Sequence, residues 1–263
     1  MHLKPSKNIV PSTAIALCML LLPGTSAFSQ NTPEMVTDRP DQSESSNIVL
    51  PGYVQFESGL LLTKANDDNV TEIFGTLARI GILEKLELRL GIDGLIFDGA
   101  SDTKEFGDSE IGVKYFLWEE NGFIPESALM GGIGIPTSKV NKDIGYSIRY
   151  AGSYTLSSRF SAGFNLAGGW EKGIDDKGDE AMNMSLMYTA VIGYGISDQL
   201  SCFIEYFGES PVDVGEKPAN LIDGGFTYLV NETFQLDAYG GVGVTDAAAD
   251  WMLGAGFSYL FGY

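Results

Sequence analysis

The chain has 263 residues and a formal net charge of −19, with aromatic side chains at 11% and charged ones at only 19%. So acidic a balance argues against nucleic acid or anionic phosphate surfaces as partners, because both would be repelled. One histidine (His2) and two cysteines (Cys18 and Cys202) are too few for an ordinary His/Cys zinc site.

The first segment carries Lys4 and Lys7, then an apolar run from Ile9 to Leu22, then the small residues Thr25-Ser26-Ala27. This order reads as a secretory signal over residues 1–27. The run is short of the ~20 apolar residues that a spanning helix needs. Bulky Leu17 before Cys18 speaks against a lipoprotein cleavage box. Cleavage removes His2, Cys18, Lys4 and Lys7, so 14 basic residues face 35 acidic ones and the mature charge is −21. Cys202 is then alone, and neither an internal disulfide nor a Ser-His or Cys-His catalytic pair is possible.

Residues 28–52 form a polar leading segment, periplasmic or lumen-facing, and from Tyr53 onward the chain divides into twelve alternating stretches. The less regular ones fall near 53–63, 70–80, 106–117, 123–135, 146–155, 199–207 and 219–229. The clearest is LELRLGIDGL, with Leu86, Leu88, Leu90 and Ile92 on one face and Glu87, Arg89 and Asp93 on the other. FSAGFNLAGGW, AMNMSLMYTAVIGY and FQLDAYGGV alternate likewise, and the last stretch is WMLGAGFSYLFGY. Each stretch is about the 9 to 11 residues that a tilted strand needs to cross a bilayer.

The connections sort by length. ILEK, EENG, LSSR, ISDQ and NET are short, whereas ANDDN, FDGASDTKE, PTSKVNKDIG, EKGIDDKGDE, GESPVDVGEKP and TDAAAD are longer and acidic or Gly-rich. Short and long links in alternation, with an even strand number, predict an all-β fold: a transmembrane antiparallel up-and-down β-barrel of about twelve strands over residues 53–263. The strand-turn-strand recurrence also suits a propeller, but a propeller does not account for the aromatic carboxyl end. There Trp251, Phe257, Tyr259, Phe261 and Tyr263 share one face, predicted to meet lipid and to close the barrel without an exposed edge. Terminal aromatics in this pattern resemble the sorting signal read by the outer-membrane assembly machinery.

Just before the barrel lies TDRPDQSES, residues 37–45. Together with Gly107-Asp108, Gly112-Val113-Lys114-Tyr115 and the strand after Pro125 that runs to Gly134-Ile135-Pro136-Thr137, it resembles the outer-membrane transporter-like proteins grouped under the meta-pathway of phenol degradation. The resemblance spans the mature chain. It implies a Gram-negative outer-membrane barrel that helps small compounds across, with aromatic ones as candidates; no functional residue comes with it.

The non-lipid faces carry Glu57, Arg79, Glu87, Arg89, Asp93, Glu110, Lys114, Arg149, Glu205, Asp223, Gln235 and Asp237. Twelve strands enclose more than side chains alone fill, so a narrow polar passage for a small-molecule solute is open to the chain. The other reading is that charges such as Glu87 and Arg89 pair across the lumen and plug it. Asp38, Arg39, Asp41 and Glu44 are the further constriction candidates: with Pro40 barring a regular strand, the leading segment is expected to fold into the mouth or lumen, Arg39 pairing with a carboxylate such as Glu87. A loose periplasmic tail is the alternative.

Asp67-Asp68, Asp175-Asp176, Asp179-Glu180, Asp246 and Asp250 lack EF-hand spacing and read as solvated loops, which divalent ions could bridge to lipopolysaccharide; no metal, cofactor or catalytic residue is assigned. A structural or adhesive barrel whose acidic loops bind a partner is the competing function. An outer-membrane hydrolase would have to use an Asp, Glu or Lys base.

Overall fold

The structure is a computed structural model and describes residues 33–66, 68–99, 103–138, 143–174, 180–212 and 217–263. The signal-type stretch 1–27, Asp67 and the acidic residues 175–179 lie outside the described residues.

Twelve antiparallel strands form one closed sheet. They are β1 (Tyr53–Ala65), β2 (Asp68–Leu83), β3 (Leu86–Ile92, continued by Leu95–Asp98), β4 (Thr103–Phe106, continued by Ser109–Trp118) and β5 (Glu126–Ile135). There follow β6 (Gly145–Thr155), β7 (Phe160–Ile174), β8 (Glu180–Gly195), β9 (Leu200–Pro211), β10 (Ala219–Asn231), β11 (Phe234–Gly243) and β12 (Trp251–Gly262). Each strand pairs with its neighbours in sequence, and β1 pairs with both β2 and β12, so no edge is left open. The breaks at Asp93-Gly94 and Gly107-Asp108 interrupt β3 and β4 without changing their neighbours.

Local chemistry explains the short turns. Ser157 Oγ accepts from the Arg159 and Phe160 amides, and Ser197 Oγ accepts from the Gln199 and Leu200 amides, which closes two turns by the same device. Two expected connections differ. ANDDN is a tight hairpin, because the strands run on until Ala65 faces Asp68, with Asn66 in the left-handed region (φ 54) that asparagine tolerates. EENG opens a longer turn over residues 119–125, folded onto the sheet by hydrogen bonds from Tyr154 to the Phe123 carbonyl and from Trp118 to the Pro125 carbonyl.

Alternation decides what each face sees. Outward residues such as Leu90, Ile111, Leu166, Ile204 and Phe226 are exposed apolar side chains. The inward residues Gln55, Glu57, Arg79, Glu87, Lys114, Glu205 and Asp223 are buried and polar. A smaller apolar patch of Leu221, Tyr239 and Met252, packed with Leu61, Phe203 and Phe207, lines the β9–β12 side of the interior. On β12, Trp251, Leu253, Phe257 and Tyr259 point outward and are exposed, and Phe261 stacks on Phe56 of β1 at 5.7 Å across the closing seam.

Candidate functional site: a segment docked in the lumen

The chain before β1 does not hang free. It enters the barrel beside Gly81 of β2, where a side chain would collide with the Val49 and Leu50 backbone; glycine is what lets the two chains approach there. Pro40 and the run of Asp, Ser and Asn then keep the segment irregular, and its exposed backbone groups are satisfied by side chains of the wall.

One side of the segment meets a charged ladder. Asp38 accepts hydrogen bonds from Arg89 Nη1 (2.6 Å), from Lys114 Nζ (2.8 and 3.1 Å) and from the Ser45 amide and hydroxyl (2.8 Å each), while Arg79 lies 3.3 Å away. The Asp38 amide in turn donates to Glu57 (3.0 Å). Arg79 is fully buried and donates to both Glu87 oxygens (2.9 and 3.0 Å), to Glu57 (3.1 Å), and to the carbonyls of Val36 and Asn47. Glu44 pairs with Arg89 and lies 3.7 Å from Arg149, and Val49 donates its amide to Glu87 (2.8 Å). Burial alone would raise the Asp38 carboxyl, but Arg79, Lys114 and Arg89 outweigh it and hold the group well below the usual carboxylate range.

The opposite side reaches the far wall. Arg39 forms a bidentate pair with Asp237 of β11 (2.9 and 3.2 Å), not the expected pair with Glu87. Glu87 is occupied by Arg79 and Arg89, and the Arg39 guanidinium instead lies over Gly59 and Gly256, ladder partners on β1 and β12 where any side chain would collide with it. Gln42 donates its amide to Glu205 of β9 (2.7 Å), Ser43 Oγ donates to the same carboxylate (2.6 Å) and also meets Thr189 of β8, and Glu44 exchanges hydrogen bonds with Asn165 of β7. Ser46 and Asn47 bond Glu126 of β5. Hydrogen bonds and ion pairs of this one segment thus reach strands β1 to β9 and β11.

Cavities border it. One of about 510 Å³ is lined by Asp38, Arg39, Asp41, Gln42 and Glu44 of the segment and by Glu72, Asp93, Glu110 and Arg149 of the wall. Another, of about 210 Å³, is lined by Pro33, Glu34, Val36 and residues 47–50. A third, about 650 Å³, shares Glu110 and Gly134 with the first and continues past Tyr146, Trp170 and Lys217. Glu72, Asp93 and Glu110 have no ion-pair partner among the described residues.

Of the residues singled out in the sequence, Asp38, Glu44, Glu87, Arg89 and Lys114 come together in the charged ladder, Arg39 reaches Asp237 on another wall, and Asp41 and Asp93 line the first cavity without joining the network of ion pairs. Arg79, Glu57, Asp237 and Glu205 are equally central, and sequence reasoning placed them only on the non-lipid face. No group of three or more ligating side chains among the described residues is placed to hold a metal ion.

A closed twelve-stranded barrel with a polar interior and a leading segment laid across it defines an outer-membrane channel-type fold. It is the fold of an outer membrane channel from Pseudomonas putida F1 (TM-score 0.57, 13% identity, 81% of this chain and 97% of that one) and of the NanC porin (0.56, 11%, 78% and 98%). A KdgM porin in complex with disordered oligogalacturonate also matches (0.52, 9%, 80% and 99%). The chain belongs to the family described as "Putative MetA-pathway of phenol degradation", whose profile matches residues 37–261. No protein of curated function matches the sequence.

Proposed function

We propose that the protein is a passive outer-membrane channel for small solutes, exported through its signal segment, with residues 37–50 forming the constriction. The observation that carries this reading is the docked segment itself, bonded to opposite walls of the lumen, with one cavity along its middle and another along its two ends. The three structural neighbours are themselves a channel and porins. The carboxylates Glu72, Asp93 and Glu110 on one wall favour cations over anions of equal size. The family description, together with the apolar patch of Leu61, Phe203, Phe207, Leu221, Tyr239 and Met252, supports small aromatic compounds as solutes. In this reading the outward aromatics of β12 meet lipid, and the protein performs no chemistry on what it passes.

Single-channel conductance of the refolded protein in planar bilayers tests the proposal, for the chain without its signal and for a form that also lacks residues 37–45. Steady conductance that rises on deletion is expected. Unchanged or absent conductance in both, with the barrel shown to be folded, overturns it and favours a plugged barrel whose loops bind a partner.

A further inference from the structure

The charged ladder leaves one buried acid unexplained. Asp223 of β10 is only 3% exposed, and no N–H or hydroxyl donor among the described residues reaches its carboxyl oxygens; the group within hydrogen-bond reach of them is the Glu205 carboxylate, so the two can bond only by sharing a proton. A buried ionised carboxylate with no partner is costly, and native structures rarely keep one. Its ladder partner across β9–β10 is Glu205, another buried carboxylate, and the two project into the lumen together.

The surroundings offer no cation to either. The segment's own Arg39 is committed to Asp237, and Arg149 lies beside Glu44. From β8 comes only the Thr189 hydroxyl, from β11 the already paired Asp237 and the phenol of Tyr239, and from β12 Met252. The segment adds Asp41 and, further off, Asp38. Glu205 is the acceptor of two hydrogen bonds from the segment, those of the Gln42 amide and the Ser43 hydroxyl, and is therefore best kept as the charged member. Neutrality must then come from protons on its neighbours.

We propose that Asp41, Glu205 and Asp223 form a proton-binding site that latches the middle of the leading segment to the β9–β10 wall, and that losing the proton repels Asp41 from that wall and frees residues 41–43. Burial, reinforced by the charges of Glu205, Asp223 and Asp38, lifts the Asp41 carboxyl well above the usual carboxylate range, in the direction the latch requires. The sign follows from linkage. A carboxyl that binds its proton more tightly when docked supports docking fully below its ordinary value, and that support is lost as pH rises through the docked value. Over that interval the docking equilibrium weakens by about tenfold per pH unit for each proton released.

The latch rests on the constriction reading only for its effect on conductance; docking itself is read separately, by hydrogen exchange. Exchange of residues 38–45 is followed in the detergent-solubilised full barrel at pH 5 and pH 8, corrected for the intrinsic rate, for the native chain, Asp223→Asn and Asp41→Asn. The native segment is expected to lose protection by tenfold or more at the higher pH, whereas Asp41→Asn, uncharged at that position at every pH, keeps the protection seen at pH 5, and Asp223→Asn, in which Asp41 still faces Glu205, loses less than the native chain. Equal protection of the native segment at both values overturns the latch. So does an undiminished loss in Asp41→Asn. If protection behaves as expected while removing residues 37–45 leaves conductance unchanged, the latch stands and the channel reading falls.

Discussion

Asp38→Ala offers the sharpest test of how the segment is held. Asp38 bonds Arg89 and Lys114 at 2.6 and 2.8 Å, and its side chain is almost wholly buried. Arg89 keeps Glu44 and Glu87 after the substitution, but Lys114, fully buried, keeps only the Ser45 and Asn47 carbonyls at 3.0 and 3.3 Å and Glu44 at 4.0 Å. Removing one partner of a buried ion pair costs about 3–5 kcal/mol, and the stranded ammonium is most of that cost here. Docking should therefore weaken by about two to three and a half powers of ten. Hydrogen exchange over residues 33–50 reads this directly, because the amides of Asp38, Gln42, Glu44, Ser45 and Val49 all donate to carboxylate or amide oxygens. Lys114→Met completes a double-mutant cycle. Since it removes the stranded charge, the double variant should lie above the sum of the single losses by about 1 kcal/mol or more. Native-like protection in Asp38→Ala, or strict additivity in the cycle, would refute the claim that this pair anchors the segment.

Two further outcomes follow from other contacts. Gly256→Ala places a methyl group against both the Arg39 guanidinium and the Ser58 carbonyl of β1, so Arg39 must leave Asp237 and the seam must yield locally; overpacking of this kind costs about 1–3 kcal/mol, and exchange should rise around residues 37–40 and next to residue 256 while the β12 amides farther along stay protected. Loss of protection across β12 as well would place the damage in the barrel seam instead. The acid limb of the pH profile runs opposite to the latch. Asp38 binds its proton less tightly when docked, so its contribution is present above the ordinary aspartate value of about 3.9 and disappears as pH falls through the lower docked value. Exchange of residues 33–50 should then increase in strong acid, and Asp38→Asn should abolish that increase; an acid response that survives the substitution assigns it to another group.

The barrel was legible because its signal is local. Alternation, short turns closed by Ser and Asn, and the aromatic face of β12 each declare themselves within about ten residues. The loop at Asn66 was misjudged for the opposite reason: Asp68 and Asn69 look like loop residues, yet β1 continues opposite them, and ladder pairing overrides their weak strand preference. The lumen charges were placed on the correct face, but which of them meet depends on register and on where the leading segment crosses, and neither is written in any one stretch. Arg39 shows this best. Nothing near it in sequence distinguishes Glu87 from Asp237, and the choice rests on two glycines, Gly59 and Gly256, brought side by side by the closure of β1 against β12.

The same dependence on closure explains why the segment and the barrel interior form one electrostatic unit. Without the segment, the ion-paired cluster on the β1–β4 wall sets Arg79, Arg89 and Lys114 against Glu57 and Glu87, one positive charge in excess, and Asp38 and Glu44 turn that into one negative charge. The β9–β10 wall has the contrary defect, Glu205 and Asp223 with no cation, and the segment brings it Asp41. A segment whose carboxylates meet cations on one wall and only further carboxylates on the other is held firmly at one end and conditionally at the other. Release would therefore begin at residues 41–43 and leave Asp38 in place, so that the lumen widens on the β9–β10 side first.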